Sequence, residues 1–182
     1  MTSTTPSAGA RTVAILVTDG FEQVELTGPR DALHQAGIAT RIIAPKPGQV
    51  QGFNHDEKAD TFAVDGTLDQ ADPARFDAVL LPGGVLNADT LRTEAKAQAF
   101  VQAIDQAGKP IAVICHGAWL LVDAGLVRGK TLTSWPSLAT DLRNAGATWV
   151  DETVHVEGRW VSSRKPDDIP AFNQKLVETV NA

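Results

Sequence analysis

The residues best suited to chemistry meet in the stretch KPIAVICHGAWLLVDAGL, where Cys115 and His116 follow a short apolar run. A deprotonated thiol is a strong nucleophile, and an imidazole is a base near neutral pH. A lone Cys beside Ile and Val is ordinarily a small core residue. Cys115, however, ends what reads as a buried strand, and a helix starts at once, so the helix N-terminus can stabilise a thiolate. The order strand, nucleophile, Gly117, helix is that of a nucleophile elbow, without the Gly that precedes the nucleophile in G-x-S-x-G. His116 either caps the helix start or serves as base or proton shuttle for the thiol. The geometry of the turn decides between these, because adjacent residues do not automatically face each other.

Three further features belong with this pair. Glu22, in DGFEQVEL, sits between Phe21 and Val24 just after the first strand. A carboxyl held there can be desolvated, keep its proton and donate a hydrogen bond to the sulfur. Gly83 and Gly84 allow a sharp turn after another strand. They can also form an oxyanion site, with the Gly84 N–H and the N–H after the nucleophile aimed at a developing negative charge. Trp135, in TSWPS, is placed to line the pocket, whereas Trp119, Trp149 and Trp160 read as core or interface anchors. His34, His55 and His155 are isolated, and neither HExxH nor a Cys/His spacing occurs, so no metal and no cofactor is expected.

Alternating strand-like and helix-like segments must position these groups. RTVAILVT (11–18), ATRIIAP (39–45), FDAVLLPGG (76–84), KPIAVIC (109–115) and KTLTSW (130–135) read as strands. Helices are expected from about Glu25 to Ala36, with Pro29 near the first turn, and from Glu94 to Ala107. Others are expected directly after Cys115, from Ser137 to Asn144, and from Ile169 to Val180. Residues 48–67 read as a hairpin excursion and 147–163 as a β-ribbon. Buried apolar strands separated by amphipathic helices imply one α/β domain, a doubly wound and mostly parallel sheet covered on both faces. In such sheets ligands sit beyond the carboxyl ends of the strands, which selects DGFE, LPGG and CHG along one edge.

The bulk composition restricts partners. With 182 residues the chain fits one domain, read as a disordered tail over 1–10 and a domain over 11–182. The formal net charge of -6 lacks the basic footprint expected for nucleic-acid binding. No apolar run is long enough for a membrane span, the N-terminal residues lack the features of a secretory signal, and a lone Cys gives no support for secretion. A cytoplasmic location is the default expectation.

Taken together and in order, DGFEQVEL, LPGG, AVICHG, TSWPS, DLRNAGATWVD and WVSSRKPDDIPAF resemble the PfpI family, from about Arg11 to Val180. That family belongs with the parkinsonism-associated deglycase and, more distantly, class I glutamine amidotransferase domains. The resemblance implies a flavodoxin-like sandwich, a homodimer or higher homo-oligomer, and Cys115 as nucleophile. It carries the adjacent His onto His116 and the thiol-contacting carboxylate onto Glu22. In the archaeal peptidase of the family a Glu from a neighbouring subunit orients the His. The matching position here is Asp89, one methylene shorter. Three activities are implied: glyoxalase or deglycase action on small reactive carbonyls and glycated proteins or peptides, intracellular peptide cleavage, and a redox-sensing or chaperone-like stress role. The first suits a thiolate in a small acidic-lined pocket.

Overall fold

The computed structural model describes residues 9–182, so the expected tail lies, apart from its last two residues, outside the described residues. The chain runs β1 (Thr12–Leu16), β2 (Phe21–Glu22), α1 (Gln23–Gln35), β3 (Ala39–Ala44), β4 (Gln49–Asn54), β5 (Glu57–Ala63), β6 (Gly66–Thr67) and β7 (Ala78–Leu81). It continues through α2 (Val85–Arg92), α3 (Ala95–Gln106), β8 (Ile111–Ile114), α4 (Ala118–Asp123), β9 (Thr131–Leu132) and α5 (Ala139–Asn144). The last elements are β10 (Thr148–Trp149), β11 (Val154–Glu157), β12 (Trp160–Ser163) and α6 (Ile169–Asn181).

Seven strands form the main sheet in the order β11-β12-β8-β7-β1-β3-β6, parallel except where β11 meets β12. Both faces are covered, which is why the central strands are apolar without interruption. Within β1 the side chains alternate between two cores. Ala14 and Leu16 pack with Phe100, Ile104 and Leu121 on one face, while Val13 and Ile15 pack with Leu26, Leu33, Phe172 and Leu176 on the other. From β1 the chain moves outward through β3 to β6, then returns to β7 on the other side of β1. The strand order therefore reverses between β1 and β7, and a crevice opens there at the carboxyl ends.

Several local expectations shift. Helix α1 begins at Gln23 rather than Glu25, so Pro29 stands within the helix, beyond its first turn. Having no N–H, Pro29 cannot bond back to the Glu25 carbonyl. Helix α2 occupies VLNADTLR, which carries too thin an apolar stripe to announce itself: Ala88 and Leu91 are buried but Val85 and Leu86 are exposed. The expected ribbon is shorter, because Thr148 and Trp149 pair in parallel with β9 and only β11 and β12 form the hairpin. The hairpin excursion is present as β4 and β5, tied to the site by the parallel pairing of β2 with β4. Among the described residues no helix is long and apolar enough to cross a membrane.

Candidate active site

Strand β8 ends at Ile114, and the next residue turns sharply. Cys115 has φ +62°, in the left-handed region that a side chain normally avoids, at a cost of about 1–2 kcal/mol. This lifts the thiol out of the strand's alternation and aims it at the crevice, as the elbow order requires. A single 3-10 turn, Cys115–Gly117, leads into α4. The turn also settles the geometry of the adjacent pair: Cys115 Sγ lies 3.1 Å from His116 Nδ1. The imidazole is held between two indoles, stacked on Trp135 at 5.6 Å and edge-on to Trp119 at 5.3 Å. Trp119 is itself held by donating to Asp141 at 3.0 Å.

The carboxyl against the sulfur is Glu25, which corrects the assignment of Glu22. Glu25 is fully buried; its Oε1 accepts from the Gly83 N–H at 3.0 Å, and its carboxyl lies beside the Cys115 thiol. Glu22 lines the same pocket, but its carboxylate accepts the His55 N–H at 3.1 Å. The reason is helical phase. The buried positions of α1 include Glu25, Pro29 and Leu33, one stripe at a spacing of four, whereas Glu22 precedes the helix. A carboxylate on that apolar stripe was the signal available in the sequence.

Gly83 and Gly84 close the crevice. A Cβ on Gly83 would stand 2.6 Å from Glu25 Oε1 and 2.7 Å from Cys115 Cβ, so only glycine lets the loop approach so near. Gly84 takes φ +86° as the residue capping α2. Its N–H and that of His116 both point at the Cys115 sulfur. Buried Asn87 pins this loop by accepting from Thr18 N–H at 2.8 Å and donating to the Gly83 carbonyl at 2.9 Å.

Electrostatics follow from burial. Burial, with a smaller contribution from the charge of Glu22, pushes the Glu25 pKa up to about 8, although the Gly83 N–H opposes the rise. At neutral pH Glu25 therefore holds its proton and can donate to sulfur. Burial likewise raises the Cys115 pKa, and a charged Glu25 would raise it further; the His116 and Gly84 N–H groups work in the other direction. Burial lowers the His116 pKa, leaving a neutral ring able to take the thiol proton.

The cavity over this floor measures about 340 Å³. It brings together Glu22, Gly84, Cys115, His116 and Trp135 of the residues singled out in the sequence, and adds Glu25, Phe53, His55, Asp56 and Pro166. His55 and Asp56 form the turn between β4 and β5, and nothing local in the sequence announces that this turn folds over the strand ends. Gly83 and Gly117 support the floor. Asp89 is exposed on α2 and does not line the cavity.

A doubly wound sheet with a buried Cys–His pair at an elbow, a buried carboxyl beside it and N–H donors from the elbow and the Gly83–Gly84 loop defines the flavodoxin-like class of reactive-cysteine domains. Residues 11–179 match the DJ-1/PfpI family, and the chain belongs to it. Protein/nucleic acid deglycase 2 of Escherichia coli is 37% identical over 174 residues, covering 95% of this chain and 99% of that protein. Deglycase TK1284 of Thermococcus kodakarensis is 38% identical over 166 residues, covering 91% of this chain and 97% of that protein. A two-domain protein of Anabaena variabilis, with DJ-1/ThiJ/PfpI-like and ferritin-like domains, superposes with a TM-score of 0.87 at 31% identity. That likeness covers 94% of this chain and 48% of the longer one.

Proposed function

We propose that this chain is a stress-protective enzyme that uses Cys115 to remove reactive α-oxoaldehydes and their early adducts on proteins, the reading that the deglycase relatives support. The observation that carries it is the Cys115–His116 contact of 3.1 Å beside a buried Glu25. His116 takes the thiol proton, and the sulfur attacks the aldehyde carbon of a compound such as methylglyoxal. A C–S bond forms while the carbonyl electron pair moves to oxygen, which takes the proton of Glu25. The Glu25 carboxylate then removes the proton from that carbon as the neighbouring carbonyl electron pair moves to its oxygen, and the hydroxyl proton passes to that oxygen. Glu25 returns the carbon's proton to the neighbouring carbon as the first C=O re-forms, leaving a 2-hydroxyacyl thioester. Water cleaves the thioester, releasing a 2-hydroxy acid and restoring the thiol. From a glycated amine the sulfur instead displaces nitrogen, and His116 protonates the departing amine.

The test is consumption of methylglyoxal and appearance of lactate in thiol-free, amine-free buffer. Cys115→Ser is expected to lose at least about a thousandfold, as removal of a covalent nucleophile does. Equal rates for variant and wild type would overturn the proposal.

The same Cys–His pair would serve peptide cleavage, which is the second reading. Cleavage of an unfolded peptide that Cys115→Ser abolishes would favour it. In either case we place the chain in the cytoplasm as a homodimer or larger homo-oligomer, in which Asp89 of one copy would orient His116 of another. The single-domain organisation over 11–182 is part of the same proposal.

A further inference from the structure

The mouth of the pocket has a one-sided charge. Of the side chains bounding it, Glu22 and Asp56 are the carboxylates, the buried Glu25 keeps its proton, and none is Lys or Arg. Neighbouring cations do not line it: Lys165, next to Pro166, pairs with Asp167 at 3.9 Å, and Lys58, opposite Phe53, lies with Asp19 in an adjoining groove that shares Gly20, Phe53 and Leu86 with the pocket. The acidic groups are placed by the fold. Glu22 holds the β4–β5 turn over the cavity through the His55 N–H, and His55 adopts φ +58° there, which sets Asp56 at the rim. Gln23 fastens the same hairpin by accepting from the Asp60 N–H and donating to its carboxylate, both at 2.8 Å. At the bottom of this funnel Glu25 Oε2 is buried without a hydrogen-bond partner. Phe53 and Trp135 supply aromatic surface, the other feature that attracts a cation.

We propose that Glu22 and Asp56 make this pocket cation-selective, so that its preferred substrate is an α-oxoaldehyde adduct carried on an arginine side chain. The inference rests on the carbonyl-directed reading of Cys115 and specifies which carbonyls enter. An early adduct on a lysine amine loses most of its positive charge, because the hydroxyl and carbonyl groups on the new carbon withdraw electrons. A guanidinium keeps its charge, spread over the remaining nitrogens, and offers planar paired donors to a carboxylate. Carbonyls bearing phosphate, including adducts on nucleotides, meet the same field as repulsion.

Cys115 is the sole cysteine, so its modification reports the field without requiring turnover. The rate of Cys115 labelling is measured with a cationic and an anionic methanethiosulfonate of matched size, each divided by its rate with a small free thiol. Clefts of one sign raise local counter-ion concentration by about tenfold or more, so the corrected cation-to-anion ratio is expected to reach about ten at low salt. It should shrink as salt is added. Asp56→Asn should lower the ratio, Glu22→Gln combined with Asp56→Asn should bring it near one, and Asp56→Lys should lower it further than Asp56→Asn. In turnover, glycated N-acetylarginine amide should exceed glycated guanosine monophosphate in kcat/KM. A wild-type labelling ratio near one, or a ratio unchanged in the double variant, overturns the inference even where methylglyoxal turnover is intact. Loss of the carbonyl reading shows instead as methylglyoxal turnover that survives Cys115→Ser, whatever the labelling ratio.

Discussion

At the floor of the pocket Cys115 and Glu25 are 6% and 0% exposed, while at its rim Val85 and Leu86 are 52% and 61% exposed. The floor is built from strand ends and loops so close that a single methyl group would collide. The rim is built from a hairpin turn and the first residues of α2, open to water. Burial at the floor moves protons: it keeps Glu25 protonated, His116 neutral and the thiol reluctant to ionise. The rim, still hydrated, cannot tune protons in that way. It acts instead through shape and charge on what approaches.

The contrast breaks most visibly at Gly83. Gly83→Ala places a methyl against Glu25, Cys115 and the His116 N–H, at 2.6, 2.7 and 3.0 Å. Activity should fall at least about a hundredfold, the scale of removing an oxyanion donor, and stability by about 1–3 kcal/mol from overpacking. Val85→Ala at the rim should stay within about 0.5 kcal/mol of wild type in urea unfolding, as exposed substitutions do. Similar stability losses at both positions would erase the distinction between floor and rim.

Glu25→Gln sharpens it. In the unfolded chain this carboxyl titrates at its ordinary 4.5, whereas in the folded protein it holds its proton up to about 8. Between those values the folded state binds the extra proton, so the group's contribution is full below the lower value. It declines by roughly 1.4 kcal/mol per pH unit as pH rises through the window. Glu25→Gln removes that slope, so its stability relative to wild type should improve from pH 5 to pH 8 in urea unfolding. Wild-type activity should also fall as pH rises past about 8, where Glu25 loses the proton it gives to the carbonyl oxygen, and Glu25→Gln, which can neither give nor take that proton, should lose most turnover at every pH. A smaller effect is expected at Trp119, which steadies His116 from outside the cavity. Trp119→Phe loses the bond to Asp141 and should lower kcat a few-fold with little change in KM, on the scale of about 1 kcal/mol for one hydrogen bond. A change in KM alone would assign Trp119 to substrate binding.

Much of the fold was legible because its signals are local. RTVAILVT and KPIAVIC are short apolar runs ended by polar or turn residues, and their burial on both faces follows from the sheet they build. The stripe Phe100, Ile104 in α3 is a plain helical repeat. Helix α2 lacks a legible stripe because its exposed apolar pair faces the pocket mouth and its buried polar residue, Asn87, serves the loop. In the site, Cys115 and His116 stand out because an elbow is a contiguous feature, and Gly83-Gly84 because a Gly pair directly ends an apolar run. Glu22 reads as readily as Glu25 along the chain, because choosing between two carboxylates three residues apart requires the helix start to be right within two residues.

By itself the sequence determined the elbow, since the types Cys, His and Gly in that order at a strand–helix junction depend only on neighbours along the chain. The tertiary structure alone decided which carboxyl meets the sulfur and what guards the entrance. The first depends on the rotational phase of α1 against the sheet. The second depends on a hairpin brought over the strand ends by the pairing of β2 with β4. Neither is written into any one stretch of residues, because both are distances between segments that only packing brings together.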